Sequence, residues 1–239
     1  VRINVTTDSW KNDAELTGLM KRDLFTAVVG DILDQLGYTR QFLPPAIQPL
    51  SEKMVVCGRA MTVLEADTFE TSSERKHKGA EAVTQSFGLM LDALDDLKAG
   101  EVYICSGSSP RYALWGELMA TRATVLGAAG AVVDGYSRDT AGILELGFPT
   151  FSYGRYAQDQ APRGKVIDYR CPIEMSNGVK VNPGDLIYGD WEGVLVIPQE
   201  VEEQAVRQAL EKARGEKRVK VAIDGGMSAR DAWEKYGIM

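Results

Sequence analysis

The sequence predicts a mixed α/β fold with a C-terminal helical arm. Three observations carry that prediction. From about residue 101 to 154, short apolar runs alternate with stretches of helical spacing, as βαβ units with parallel pairing do. From 166 to 198 the chain becomes β-rich, with Ser-Asn-Gly and Asn-Pro-Gly turn signals between the runs. From 199 to 222 it reads as one long charged helix. The 239 residues sit at the upper end of one domain, without internal repeat or low-complexity linker. The simplest partition is one domain over 1–239, with a core at about 13–198 and a C-terminal helix and arm at 199–239.

Taken in order, residues 13–37 read as helical. Leu24, Phe25, Val28, Val29, Ile32, Leu33 and Leu36 recur at three- and four-residue spacing, and Gly37 stands where a C-cap belongs. Prolines break 42–50 into a turn or extended connector. Residues 54–66 are β-branched and apolar and read as a strand, with Gly58 marking a bulge. A short amphipathic helix is expected at 85–97 and a strand at 101–106. A helix opened by glycine follows at 116–129, then a strand at 130–135, a short helix at 139–146 and a strand at 148–154. Strands at 166–175 and 178–181 form a hairpin, and two more strands lie within 182–190 and 193–198. A last short helix begins near Ser228, whose spacing to Asp231 is that of a cap.

Composition excludes several functions. The apolar and charged fractions, 44% and 26%, are those of a globular protein. The net charge of −7 argues against a nucleic-acid binder, which needs clustered Lys and Arg. Cys57, Cys105 and Cys171 are odd in number and lack CxxC spacing, so neither a zinc knuckle nor a disulfide framework is indicated. Cys57 and Cys105 fall in apolar runs and read as buried thiols in a reducing compartment. With no signal-like N-terminus and no run of membrane-spanning length, a cytoplasmic location away from membranes is expected. One histidine, His77, makes a multi-histidine zinc site impossible, and no GxSxG elbow accompanies it. His77 sits in a charged stretch and reads as a solvated surface residue.

The informative stretch is 115–139, WGELMATRATVLGAAGAVVDGYSRD. Gly116 opens a helix, so the amides of Glu117, Leu118 and Met119 are unpaired donors of the kind that attract a carboxylate or phosphate. The strand AVVDG then leads to Arg138 and Asp139, in the loop position where α/β sheets bind ligands. Arg138 can grip a carboxylate bidentately. Asp139 can hold a hard dication. Such an ion, chelated by a 2-oxo acid, polarises the keto group and stabilises an enolate. Glu117 can position a metal-bound water as a proton shuttle. Retro-aldol cleavage and decarboxylation both pass through pyruvate enolate and would both be served. The same residues also fit a plain surface ion pair beside a helix cap.

Gly-Glu-Leu-Met followed by AxGAVVDGxxRD resembles the family of 4-hydroxy-4-methyl-2-oxoglutarate/4-carboxy-4-hydroxy-2-oxoadipate aldolase and the regulator of ribonuclease activity A, the RraA-like family. Its aldolases carry an acidic residue, twenty intervening residues, then Arg-Asp, the separation of Glu117 from Arg138-Asp139. They usually have Asp at the first position, where this chain has Glu. TAVVGDILDQLG, Gly58-Arg59-Ala60, GDLIYGDWEGVLVIP and GMSARDAWEKYGIM resemble other family segments, so the likeness spans about 20–239. It implies a swivelling αββα sandwich similar to the phosphohistidine domain of phosphotransfer dikinases, and a homotrimer or homohexamer with active sites between subunits. The implied activity is a class II aldolase dependent on Mg²⁺ or Mn²⁺, cleaving 4-hydroxy-2-oxo acids to pyruvate and a second carbonyl product, with oxaloacetate decarboxylase activity. Carried over, Gly116 to Met119 would offer amides to the substrate carboxylate, Arg138 would bind the pyruvyl unit, and Asp139 would bind the metal, with Glu117 reaching it through water. Glu216 or Glu211 would stand for the glutamate that the family takes from a neighbour's C-terminal helix. Two alternatives stay open: a non-catalytic regulator that docks on a ribonuclease, and a related lyase for another 2-oxo acid. No glycine-rich nucleoside-binding loop follows the first strand, so a methyltransferase role is set aside. Asp190 reads as a turn residue, Asp134 as a strand-end cap, Tyr136 and Tyr153 as pocket or packing aromatics, and Trp115 as a pocket wall.

Overall fold

The computed structural model describes residues 10–69 and 87–238. His77 and the start of the helix expected at 85–97 lie outside the described residues. The strands in chain order are β1 (Gln48–Pro49), β2 (Val56–Asp67), β3 (Glu101–Ser106), β4 (Ala113–Trp115), β5 (Gly130–Val133), β6 (Tyr136–Ser137), β7 (Thr150–Ser152), β8 (Gly164–Tyr169), β9 (Ile173–Glu174), β10 (Lys180–Val181), β11 (Leu186–Asp190) and β12 (Gly193–Ile197). The helices are α1 (Asp13–Asp23), α2 (Thr26–Gln35), α3 (Met90–Asp95), α4 (Glu117–Val125), α5 (Thr140–Leu146), α6 (Glu202–Asp224) and α7 (Ala229–Tyr236).

The expected α/β class is observed, built on one mixed sheet of order β1-β7-β5-β3-β2-β11-β12, with β8 also paired to β2. β2, β3, β5 and β7 run parallel, which is the βαβ alternation legible over 101–154. β11 and β12 form an antiparallel hairpin against β2. The proline-broken segment 41–50 then bridges the two ends of the sheet. The Leu43 amide donates to the Val194 carbonyl at 2.9 Å, and the Leu50 amide donates to the Thr150 carbonyl at 3.0 Å. A nearly closed, barrel-like sheet results.

Closure explains why the strands read as unbroken apolar runs: both faces are buried. Side chains alternate across each strand. Val102, Ile104, Val132, Ile187, Val194 and Val196 fill the interior. The intervening residues face outward under two separate helical layers. Leu186, Tyr188, Leu195 and Ile197 meet α1, α2 and α6. Tyr103, Cys105, Ala131 and Val133 meet α3, α4 and α5. Each fully buried aliphatic side chain contributes about 1.5–3 kcal/mol of transfer free energy.

Several expectations are corrected in detail. The helix expected over 13–37 is two helices, because Leu24 and Phe25 are extended (ψ 167° and 158°) and the chain restarts at Thr26. The restart is set from afar: Asp190 Oδ2 accepts from the Thr26 amide at 2.7 Å, and Asp190 Oδ1 accepts from the Thr26 hydroxyl. Asp190 is the structural turn residue expected, accepting from the Glu192 amide at 2.9 Å, and it also caps a distant helix. Gly58 marks no bulge. A Cβ there would collide with the Gly100 carbonyl oxygen, so glycine serves close approach, and the register shift falls at Leu64/Glu65. The strand expected at 166–175 breaks at Arg170, where φ is +52°. Its first part joins β2, and its end forms the β9–β10 hairpin around Ser176-Asn177-Gly178. Gly37 (φ +89°) ends α2, and the Ser228 side chain caps α7 by accepting from the Asp231 amide, both as expected. Cys57 and Cys105 are buried free thiols. Among the described residues no helix is long and apolar enough to cross a membrane.

Candidate active site

A small parallel ribbon, absent from the elements expected on sequence grounds, assembles the site. β4 pairs with β6, with Trp115 opposite Ser137. The strand that leads into α4 thus lies beside the one that leads into Arg138-Asp139. The Arg138 amide donates to the Trp115 carbonyl at 2.9 Å.

Gly116, next in line, is the N-cap of α4 and is extended (φ −151°, ψ 175°), without a side-chain cap. Helical bonding starts with the Ala120 amide donating to the Gly116 carbonyl, which leaves the amides of Glu117, Leu118 and Met119 without helical acceptors. The absence of a Cβ at 116 has a specific use. An added Cβ would sit 3.0 Å from Asp139 Oδ2 and 3.5 Å from Arg138 Cγ. Both side chains therefore converge over the α4 terminus.

Asp139 is held in an uncommon conformation. It has φ +54° and ψ 37°, and it is one of two described non-glycine residues at positive φ. It stands at the N-cap of α5, where Asp is favoured, yet its carboxylate makes no capping bond. Left-handed backbone at a non-glycine residue costs about 1 kcal/mol or more and concentrates at functional sites. The carboxylate so displaced is 48% exposed and lies 3.5 Å from Arg138 Nε. Arg138 Nη1 also pairs with Asp159 Oδ1 at 3.2 Å.

Gly116, Leu118, Met119, Arg138 and Asp139 line one cavity of about 360 Å³. That is large enough for a small ligand. Trp115 walls it as expected, stacked on Phe148 with ring centroids 5.9 Å apart. Glu117 does not line it. Its side chain packs over the first turn of α5, where a Cβ on Gly142 would collide with Glu117 Cδ. Glu117 and Asp139 therefore border the same helix end, with Glu117 at the exposed rim.

The remaining expectations divide. Glu211 and Glu216 are not brought to this cavity within the chain. They lie on α6, in the other helical layer, where Glu216 is 3.6 Å from Lys212 and Glu211 lines a groove with Asp31 and Trp233. Asp134 is no simple strand-end cap. It is a buried hub that accepts from the Ser106 hydroxyl, the Tyr153 hydroxyl and the Ser176 amide at 2.8, 2.5 and 2.6 Å. Tyr136 and Tyr153 pack edge to face outside the cavity.

Sequence reasoning missed Asp159 and Gln160, which line the cavity from an irregular segment with no periodic signal. Behind them lies Glu65, buried on β2, where the Gln160 amide donates to Glu65 Oε2 at 2.5 Å. Burial pushes the Glu65 carboxyl up to about 8, partly offset by that hydrogen bond. Among the described residues, its Oε1, the Tyr103 hydroxyl and the Trp115 indole nitrogen find no hydrogen-bond partner.

For a metal ion, no group of three or more His, Cys, Asp or Glu side chains converges among the described residues. The donor set instead fits an ion held by one carboxylate, several waters and the substrate itself, as Mg²⁺ commonly is. Asp139, with a carboxylate released from capping and turned into the cavity, fits that description.

The family model described as RraA-like, Aldolase/RraA, matches residues 26–196. A Halalkalibacterium halodurans protein provisionally named 4-hydroxy-4-methyl-2-oxoglutarate aldolase is 33% identical over 217 residues, covering 90% of this chain and 92% of its own length. Protein DlpA of Legionella pneumophila is 30% identical over 212 residues, and this chain spans only 32% of it. Among solved structures, Streptomyces coelicolor RraAS2, described as an unusual member of the RNase ES inhibitor RraA family, superposes with a TM-score of 0.73. That likeness, at 23% identity and covering 89% of this chain and 99% of that one, is one of fold.

Proposed function

The chain belongs to the RraA-like Aldolase/RraA family, and on that premise we propose that it is a divalent-metal-dependent aldolase. It cleaves 4-hydroxy-2-oxo acids to pyruvate and a second carbonyl compound, and it decarboxylates oxaloacetate. The observation that carries the reading is the convergence of Arg138 and Asp139 over Gly116, in one cavity with the free amides of α4.

In this reading the amides of Glu117, Leu118 and Met119 receive the substrate carboxylate, because a helix N-terminus offers oriented donors and positive potential. Arg138, whose side chain lies over the same helix end, binds the pyruvyl unit. Its guanidinium is held by Asp139 and Asp159, so it meets the substrate pre-oriented. Asp139 holds the Mg²⁺ or Mn²⁺, which when bound supplies polarisation of the 2-keto oxygen. Glu117, at the rim, orients a water that relays the proton of the C4 hydroxyl to the Glu117 carboxylate. The C3–C4 bond then breaks, its electron pair passes to C3 as pyruvate enolate, and the C4 oxygen becomes the new carbonyl. Arg138 offsets the enolate charge until the same water returns that proton from Glu117 to C3. Oxaloacetate would enter the same path with carbon dioxide as the leaving fragment.

The test is pyruvate release from oxaloacetate with Mg²⁺ or Mn²⁺, coupled to lactate dehydrogenase. The expected result is metal-dependent release that Asp139→Ala abolishes. No metal-dependent pyruvate, with Asp139→Ala equal to the parent, would overturn the reading. Tight ribonuclease binding without turnover of any 2-oxo acid would replace it with the non-catalytic regulator.

A further inference from the structure

The apolar part of the cavity lining carries information on the substrate that the proposed chemistry does not use. Phe87, Met90, Leu91 and Leu94, from α3 and its approach, line the same cavity as Arg138 and Asp139. Leu114 and Met119 continue the apolar surface. Among the described residues, the polar side chains added are those of Asp159 and Gln160. Arg138 is the sole cation in the lining among the described residues, and two carboxylates already face it at 3.5 and 3.2 Å. Gln160 is committed to Glu65. The pyruvyl unit therefore takes the cation and the α4 amides, and among the described residues the rest of the lining is chiefly leucine, methionine and phenylalanine.

A second carboxylate among those apolar side chains would shed hydration without gaining a cationic partner among the described residues. An aliphatic or aromatic group would be stabilised in proportion to the apolar surface it removes from water.

We propose that the carbonyl fragment released with pyruvate is uncharged and apolar, an aliphatic or aromatic aldehyde or ketone, and not a second oxo acid. The inference rests on the aldolase reading for its chemistry, but its discrimination between ligands is a property of the cavity alone.

The experiment therefore has a binding arm and a turnover arm, both on the full chain with Mg²⁺. Calorimetry compares 4-methyl-2-oxopentanoate and 2-oxo-4-phenylbutanoate with 2-oxoglutarate, compounds that share the 2-oxo acid head and differ at the far end. The apolar monoacids are expected to bind at least about 10-fold tighter, the ratio for one carboxylate left unpaired in apolar surroundings. Leu91→Lys, at a position 47% exposed and so able to accept the substitution, is expected to shift the preference toward 2-oxoglutarate by a similar factor. In the turnover arm, 4-hydroxy-2-oxo acids with alkyl or phenyl substituents at C4 are expected to release pyruvate faster than 4-hydroxy-2-oxoglutarate. Tighter binding of the apolar monoacids without any pyruvate release supports the cavity preference and removes only the aldolase reading. Equal or tighter binding of 2-oxoglutarate, no binding of either class, or faster cleavage of the dicarboxylate overturns the proposal.

Discussion

The Arg138 amide donates to the Trp115 carbonyl at 2.9 Å, and this one bond ties two loops that are far apart along the chain. It belongs to the parallel β4–β6 ribbon. Through it the end of one βα connection is laid beside the end of the next. Gly116 and Asp139, each the N-cap of the helix that follows, come into contact as a result.

Gly116→Ala tests the contact itself. The residue is extended, so alanine meets no backbone penalty there, and a weaker N-cap costs about 1 kcal/mol of stability. The new Cβ, however, would press on Asp139 Oδ2 from 3.0 Å. Pyruvate release is expected to fall about 100-fold, the scale of loss for a misplacement near 1 Å. Calorimetric melting beside the coupled assay checks both halves. Full activity in Gly116→Ala would show that the Asp139 position is not critical.

Asp139 separates stability from chemistry. At φ +54° glycine is at ease and alanine is strained. Asp139→Gly is therefore expected to be about 1 kcal/mol more stable than Asp139→Ala, with pyruvate release lost in both. Urea unfolding of the two variants measures the difference. The left-handed conformation would carry no cost if the two midpoints coincide.

Glu65 makes stability depend on pH. Its folded-state carboxyl is raised to about 8 from an ordinary 4.5, so between those values the folded protein holds a proton that the unfolded chain has released. The stability linked to that proton is fully present below the unfolded value. It is lost as pH rises through the window and levels off above it, with a slope of about 1.4 kcal/mol per pH unit inside the window. Glu65→Gln, neutral throughout, should lack this slope. Its melting temperature relative to the parent is expected to rise from pH 5 to pH 8. A constant difference across that range would mean that Glu65 is not protonated in the folded state.

Asp190→Ala serves as the control far from the cavity. It removes the acceptor for the Thr26 amide and hydroxyl, both at 2.7 Å, and leaves the start of α2 uncapped. A loss of about 1–2 kcal/mol is expected, with pyruvate release unchanged below the melting transition. A large loss of activity in a folded Asp190→Ala would extend the functional site to this turn.

The sequence by itself determined the local elements and the chemical types. Apolar periodicity located the β3, β5 and β7 strands and the helices between them, since alternation and three- to four-residue spacing are properties of a single segment. Glu117, Arg138 and Asp139 were legible because glycine before a helix and charge after a strand are local signals. Only the tertiary structure decided what these residues share. Asp159, Gln160 and the α3 leucines reach the cavity from segments whose local pattern says nothing about Arg138. The break at Leu24–Phe25 is set by Asp190, more than 160 positions away, and the barrel is closed by a proline-rich segment that reads as a connector. Periodicity reports which side of an element is apolar, and not which distant element will cover it. That pairing is settled only when sheet closure buries both faces at once, and the cavity and its apolar lining are consequences of that closure.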